Sequence, residues 1–269
     1  MAYIALLLVA GLPLQALAAG RALSGRMRGA LGVLALMAGA ASVWWALESV
    51  AAMAGVPLAE LDQSTAEAVL AATPLGAVME WRLTALASVI IAAIVPLKVL
   101  RAPVMALAGA VALCSMALTG HAGASEWALH RWADGLHLIA AALWIGALVA
   151  FLADALFGKA DVEALARFAR TGSVVVAVLV LTGAVNTLAI AGLPPVWQSG
   201  WTLLLAVKIA LFGLMLALAA GNRWRIVPGL VRGEPGAEAR LRRSLLLELA
   251  AGVGVVAVVA ILGVLDPAA

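Results

Sequence analysis

All three histidines of this 269-residue chain, His121, His130 and His137, fall within one short stretch, and Glu126 and Asp134 lie among them. Positions 130, 134 and 137 are spaced i, i+4, i+7. At about 100° per residue, a helix puts them within roughly 60° of one another on one stripe. Glu126 extends the stripe if the helix begins that early. Imidazoles and a carboxylate so arranged suit a metal ion, with Asp134 either a ligand or the group that orients a histidine. His121 would approach from the end of the preceding element, across a short loop, as the opposite wall. One such histidine alone reads as a polar helix end. The whole histidine complement gathered around Asp134 reads as a metal or cofactor site.

The elements that must carry this stretch lie in lipid. The chain is 65% hydrophobic and 12% charged, with a mean hydropathy of +1.12. A soluble domain carries about a quarter of its residues as charges. The single cysteine, Cys114, excludes an internal disulfide and any cysteine-based zinc or iron–sulfur framework. The net charge of +3 is no nucleic-acid signal, because the basic residues sit in short segments between apolar runs.

Eight apolar runs reach the roughly 20 residues that a spanning helix needs. They cover residues 2–20, 29–54, 81–100, 102–120, 131–152, 171–191, 201–220 and 244–265. An all-α polytopic membrane bundle of about eight helices follows, in a single membrane domain spanning 1–269. A backbone in lipid must satisfy its own hydrogen bonds, and no barrel-like alternation is present. The first run has a small-residue Ala16-Leu17-Ala18 step but no basic residue before it, and reads as a retained helix. Fourteen of the seventeen basic residues fall in alternate loops, six of them between 223 and 243. The positive-inside rule makes those loops cytoplasmic and both termini periplasmic. Trp81, Trp127, Trp132, Trp197 and Trp201 then mark the outer interface.

Charged groups at membrane depth are costly and face a bundle interior or a cavity. Lys208 lies about 10 Å inside the seventh run. Glu48, Asn186, Asp134 and His137 lie at a similar outer depth, with Cys114 and Met116 just before His121. This shared depth predicts a cavity open to the periplasm. Lys208 pairs with Glu48 or Asp134, or takes part in cation passage. Arg82 and Arg131 reach the outer interface by snorkelling, and Glu248 pairs with Arg223 or Arg243. Cys114 and Met116 read as packing residues, or as soft ligands that carry a reduced ion deeper.

Several motifs resemble the copper resistance protein D family of bacterial inner-membrane proteins. They are Thr119-Gly120-His121-Ala122, the run from Leu129 through Leu148, Gly200-Trp201 through Lys208, Asn222-Arg223 with Pro228, and Leu241-Arg242-Arg243-Ser244 through Glu248. The resemblance runs over residues 80–269; residues 1–79 match poorly, through Trp81-Arg82 and the helix count. It implies copper movement between periplasm and cytoplasm, as Cu+ or Cu2+, with His121, His130, Asp134, His137 and Lys208 as functional positions. It also implies a separate periplasmic copper-binding partner of the CopC type, since no such domain or methionine-rich loop is present here. No phosphate-binding loop or phosphorylatable aspartate motif is present, which disfavours primary active transport; the expectation is a transporter, not an enzyme. The alternative is a membrane b-type haem protein with axial histidines on neighbouring helices, His121 facing His137. A third is a passive copper-docking subunit.

Overall fold

The computed structural model describes residues 2–119, 123, 125–158, 161–192, 199–263 and 265. Among these the chain is all-α, with no strand. Helix α1 spans Ala2–Ala18, α2 Gly25–Ala54, α3 Gln63–Ala72, α4 Pro74–Ile94 and α5 Arg101–Cys114. Then follow α6 at Ala128–Phe157, α7 at Val162–Ala191, α8 at Gly200–Gly221, α9 at Val227–Val231 and α10 at Ala237–Leu262. Among the described residues, seven helices are long and apolar enough to cross a membrane. The 17-residue α1 is a shorter apolar helix beside them. The protein is a polytopic membrane bundle.

The helix starts follow from local chemistry. Ser24 caps α2 by accepting from the Met27 amide, and Asp161 caps α7 by accepting from Ala164. Ser199 does the same for α8 through Thr202. Gly55, at φ 72°, closes α2 in the left-handed conformation that favours glycine. Helix α4 starts at Pro74 rather than 81, because proline suits the first helical position. Leu75 and Met79 of that added stretch bury against Ala46 and Val50 of α2. The run expected over 102–120 is α-helical only to Cys114. It then tightens into a 3₁₀ segment, Ser115–Leu118. Capped at Asp161, α7 carries Arg167 and Arg170 within its first turns.

Helix α1 lies at the centre, packed against α2, α5 and α6. Leu6, Val9 and Ala10 are completely buried. The close approach rests on glycines. A Cβ on Gly11 would sit 2.0 Å from the Ala142 carbonyl oxygen, and one on Gly109 would sit 2.6 Å from that of Val9. Small residues that bring backbones together are the usual basis of helix association in lipid. Helix α6 touches both halves: α1 and α5 on one side, α7 and α10 on the other. Helix α8 leans on α10. Of the interfacial tryptophans, Trp81, Trp127 and Trp132 are exposed and Trp201 is buried; Trp197 lies outside the described residues.

Candidate functional site

The two helices that build the polar cluster are α6 and α7. Asp134 and His137 lie one turn apart on α6; Thr182 and Asn186 lie four residues apart on α7, so each pair shares a face. Asn186 Nδ2 donates to Asp134 Oδ1 at 3.1 Å. His137 Nδ1 is 2.9 Å from Thr182 Oγ1. The Thr182 hydroxyl donates its one proton to the Val178 carbonyl at 2.5 Å. It therefore accepts from His137, which places an imidazole proton on Nδ1. A histidine oriented by a hydrogen bond at one ring nitrogen is the arrangement that metal sites use.

Charge gathers on Asp134. Lys208 of α8 is in electrostatic reach of both Asp134 and His137. Tyr3 of α1 and Cys114 of α5 also feel Asp134. The Cys114 thiol lies 3.6 Å from the Gly135 carbonyl, against the same turn of α6. Asn186 Oδ1 is buried with no hydrogen-bond partner. An orphaned carbonyl oxygen beside a carboxylate is an acceptor surface suited to a cation.

The remaining expected residues divide. His130 is 2% exposed at the start of α6. His121 lies outside the described residues. Glu126 is exposed and precedes α6, which begins at Ala128, so it does not extend the stripe. Glu48 is exposed on α2, a helix packed on α1, α3 and α4, and is not brought to Asp134. Met116 sits in the 3₁₀ segment against the core around α1. Among the described residues, no three His, Cys, Asp or Glu side chains converge as a metal-holding group. A cavity of about 400 Å³ opens elsewhere, between Gly29 and Gly32 of α2 and Ile90 and Ala93 of α4.

Two expectations are corrected. Arg82 does not snorkel: it is 2% exposed. Its Nε donates to Ser115 Oγ at 2.7 Å, and its guanidinium lies 5.6 Å from the Trp45 ring centroid. Arg131 does behave as a surface residue, donating to the Ser125 carbonyl. Glu248 has neutral partners, Trp144 and Asn222, instead of an arginine. The Arg223 guanidinium turns to Ser173 and over Trp224. Thr182 and Tyr3 escaped the sequence reading. Thr182 was detectable as the residue one turn before Asn186, and Tyr3 as the only tyrosine of the chain.

Comparison with known proteins agrees with the motifs. The family model described as copper resistance protein D matches residues 162–262. That described as copper resistance protein D-like, N-terminal domain, matches residues 1–132. The chain is 39% identical to copper resistance protein D of Pseudomonas syringae pv. tomato, over 75% of this chain and 72% of that protein. It is 30% identical to the inner membrane protein YebZ of Escherichia coli (strain K12), over 72% of this chain and 70% of that protein. No solved structure matches the chain. With both halves matched by its models and most of a curated member covered, this chain belongs to the copper resistance protein D family.

Proposed function

We propose that this protein moves copper ions across the bacterial inner membrane, through a site at the periplasmic ends of α6 and α7. The observation that carries the reading is the His137–Thr182 hydrogen bond. It holds the imidazole one turn from the Asp134 carboxylate, which accepts from the Asn186 amide whose own oxygen is orphaned. Imidazole suits copper in either oxidation state, and the Cys114 thiol nearby suits Cu+. Few ligands at partial exposure bind an ion well enough to capture it and weakly enough to release it. Lys208, in electrostatic reach of Asp134, competes with the incoming cation for the carboxylate and so promotes release. The periplasmic assignment rests on the distribution of basic residues. The copper donor in this reading is a separate periplasmic protein of the CopC type. The chain carries out no covalent chemistry of its own.

Metal analysis of the purified protein with an absorption spectrum tests the cargo. Copper without a Soret band supports the reading; a strong Soret band establishes the haem alternative. His130 and His137 stand on one helix seven residues apart, so bis-histidine ligation would need His121. Radiocopper uptake into proteoliposomes tests movement. A His130→Ala/His137→Ala variant should lose uptake, and equal uptake by both proteins refutes the site.

A further inference from the structure

Glu248 is 2% exposed, deep among α6, α8 and α10. Trp144 Nε1 donates to its Oε1 at 2.9 Å, and Asn222 Nδ2 donates to its Oε2 at 3.2 Å. Both donors are neutral, and Glu248 takes part in none of the ion pairs among the described residues. A carboxylate buried without a cation is expensive and marks function more often than architecture. Asn222 adds a second observation. It is 8% exposed, and its Oδ1 is buried without a partner. It opens a π-helical segment, Asn222–Ile226, that interrupts the ladder where α8 ends. Such segments recur at functional sites.

Glu248 finds a hydrogen-bond partner in the Asn222 amide in either protonation state. As an anion, Glu248 accepts from Trp144 and from Asn222 Nδ2. As an acid, it needs an acceptor for its new O–H, and the Asn222 amide supplies one by turning Oδ1 in place of Nδ2. The step balances as formation of one O–H bond to a carboxylate oxygen with a proton taken from water, and its return to water. No ion pair among the described residues brings another charged group of the surrounding elements to Glu248. Arg223 donates to Ser173, and Asp154, further along α6, accepts from Arg21 at 2.6 Å. Lys208 of α8 is in electrostatic reach of Asp134. Arg225 follows in the π segment, and Arg242 and Arg243 stand six and five residues before Glu248 on α10. On α6, Asp134, His137 and Trp144 fall within about 80° of one another, so one side of one helix links the two sites.

We infer that Glu248 is a proton-binding site of the transport cycle, loaded and unloaded in step with cation movement at Asp134 and His137. This rests on the transport reading above. The test compares wild type with Glu248→Gln, which preserves an acceptor for Trp144 and a donor for the Asn222 oxygen and so keeps the packing. In proteoliposomes with a trapped pH-sensitive dye, wild-type copper entry should move protons. One unit of imposed pH gradient should change uptake by up to about tenfold. Glu248→Gln should lose both effects while binding as much copper as wild type. Infrared difference spectra taken across a pH titration without copper should show a buried carboxyl C=O band in wild type that is missing in the variant. Unchanged gradient dependence in Glu248→Gln, or infrared titrations that coincide, would overturn the inference. Wild-type protein that moves no copper would end the transport reading and the coupling with it, and the infrared titration would still decide whether Glu248 binds a proton.

Discussion

Replacing Gly11 by alanine is the sharpest probe of how the bundle holds its site. The new Cβ would lie 2.0 Å from the Ala142 carbonyl oxygen and 2.8 Å from its carbon. Ordinary contact begins at 3.4 Å, so α1 and α6 must part by about 1.4 Å, the difference of those two distances. A gap of 0.5–1 Å already forfeits about a quarter to a half of each dispersion contact. The surrounding residues are deeply buried: Leu7 is 1% exposed, and Val9, Ala10 and Ala142 are 0% exposed. Overpacking of this kind costs about 1–3 kcal/mol. Gly146→Ala meets the same wall from the other side, with Gly11 backbone atoms 2.3–2.8 Å away. Gly213→Ala is the control. Nothing lies within 4 Å of its Cβ, and alanine favours a helix interior by about 1 kcal/mol over glycine. Unfolding of the purified protein in mixed micelles should therefore separate Gly11→Ala from Gly213→Ala by about 2–4 kcal/mol. Copper binding should weaken in Gly11→Ala as well, because α6 carries Asp134 and His137. A difference below about 0.5 kcal/mol, the ordinary scatter of surface changes, would refute close packing of α1 on α6.

Other substitutions test single contacts. Thr182→Val removes the acceptor of His137 Nδ1; losing a partner that orients a ligand should lower copper affinity about 10–100-fold, read by competition with a copper chelator. Ser115→Ala leaves the buried Arg82 Nε without its acceptor and should cost about 1–3 kcal/mol in the same unfolding assay, whereas Ser49→Ala, at an exposed hydroxyl bonded within its own helix, should be near neutral. Asp62 accepts from Ser64 and from the amide and hydroxyl of Thr65, which hold its carboxyl well below the usual range. A folded value below the unfolded one gives stability that is full above about pH 4 and lost as pH falls through the folded value. Amide exchange in α3, corrected for intrinsic rates, should therefore quicken on acidification below that point, and Asp62→Asn should abolish the pH dependence.

The spanning helices were legible because each must satisfy its backbone alone in lipid, and a run of apolar residues records that requirement locally. Asp134 and His137 were legible as a shared face for the same reason: periodicity on one helix is a local property. Their partners were not. Nothing in the run around Asn186 says that its amide meets Asp134, 52 residues earlier, or that Thr182 meets His137, 45 residues earlier. Those pairings depend on how closely and at what angle α6 and α7 cross. Arg82 shows how one boundary propagates. With the third run begun at 81, it stood at an interface and had water to reach. With α4 begun at Pro74, it lies two turns inside, where Ser115 and Trp45 from other helices receive it. Glu248 was assigned to an arginine because charge counting considers only charged partners. Its actual donors are an indole and an amide, 104 and 26 residues away. Choosing neutral donors for a buried carboxylate leaves its charge unbalanced inside the bundle, and a charge left unbalanced there is one that a proton can cancel.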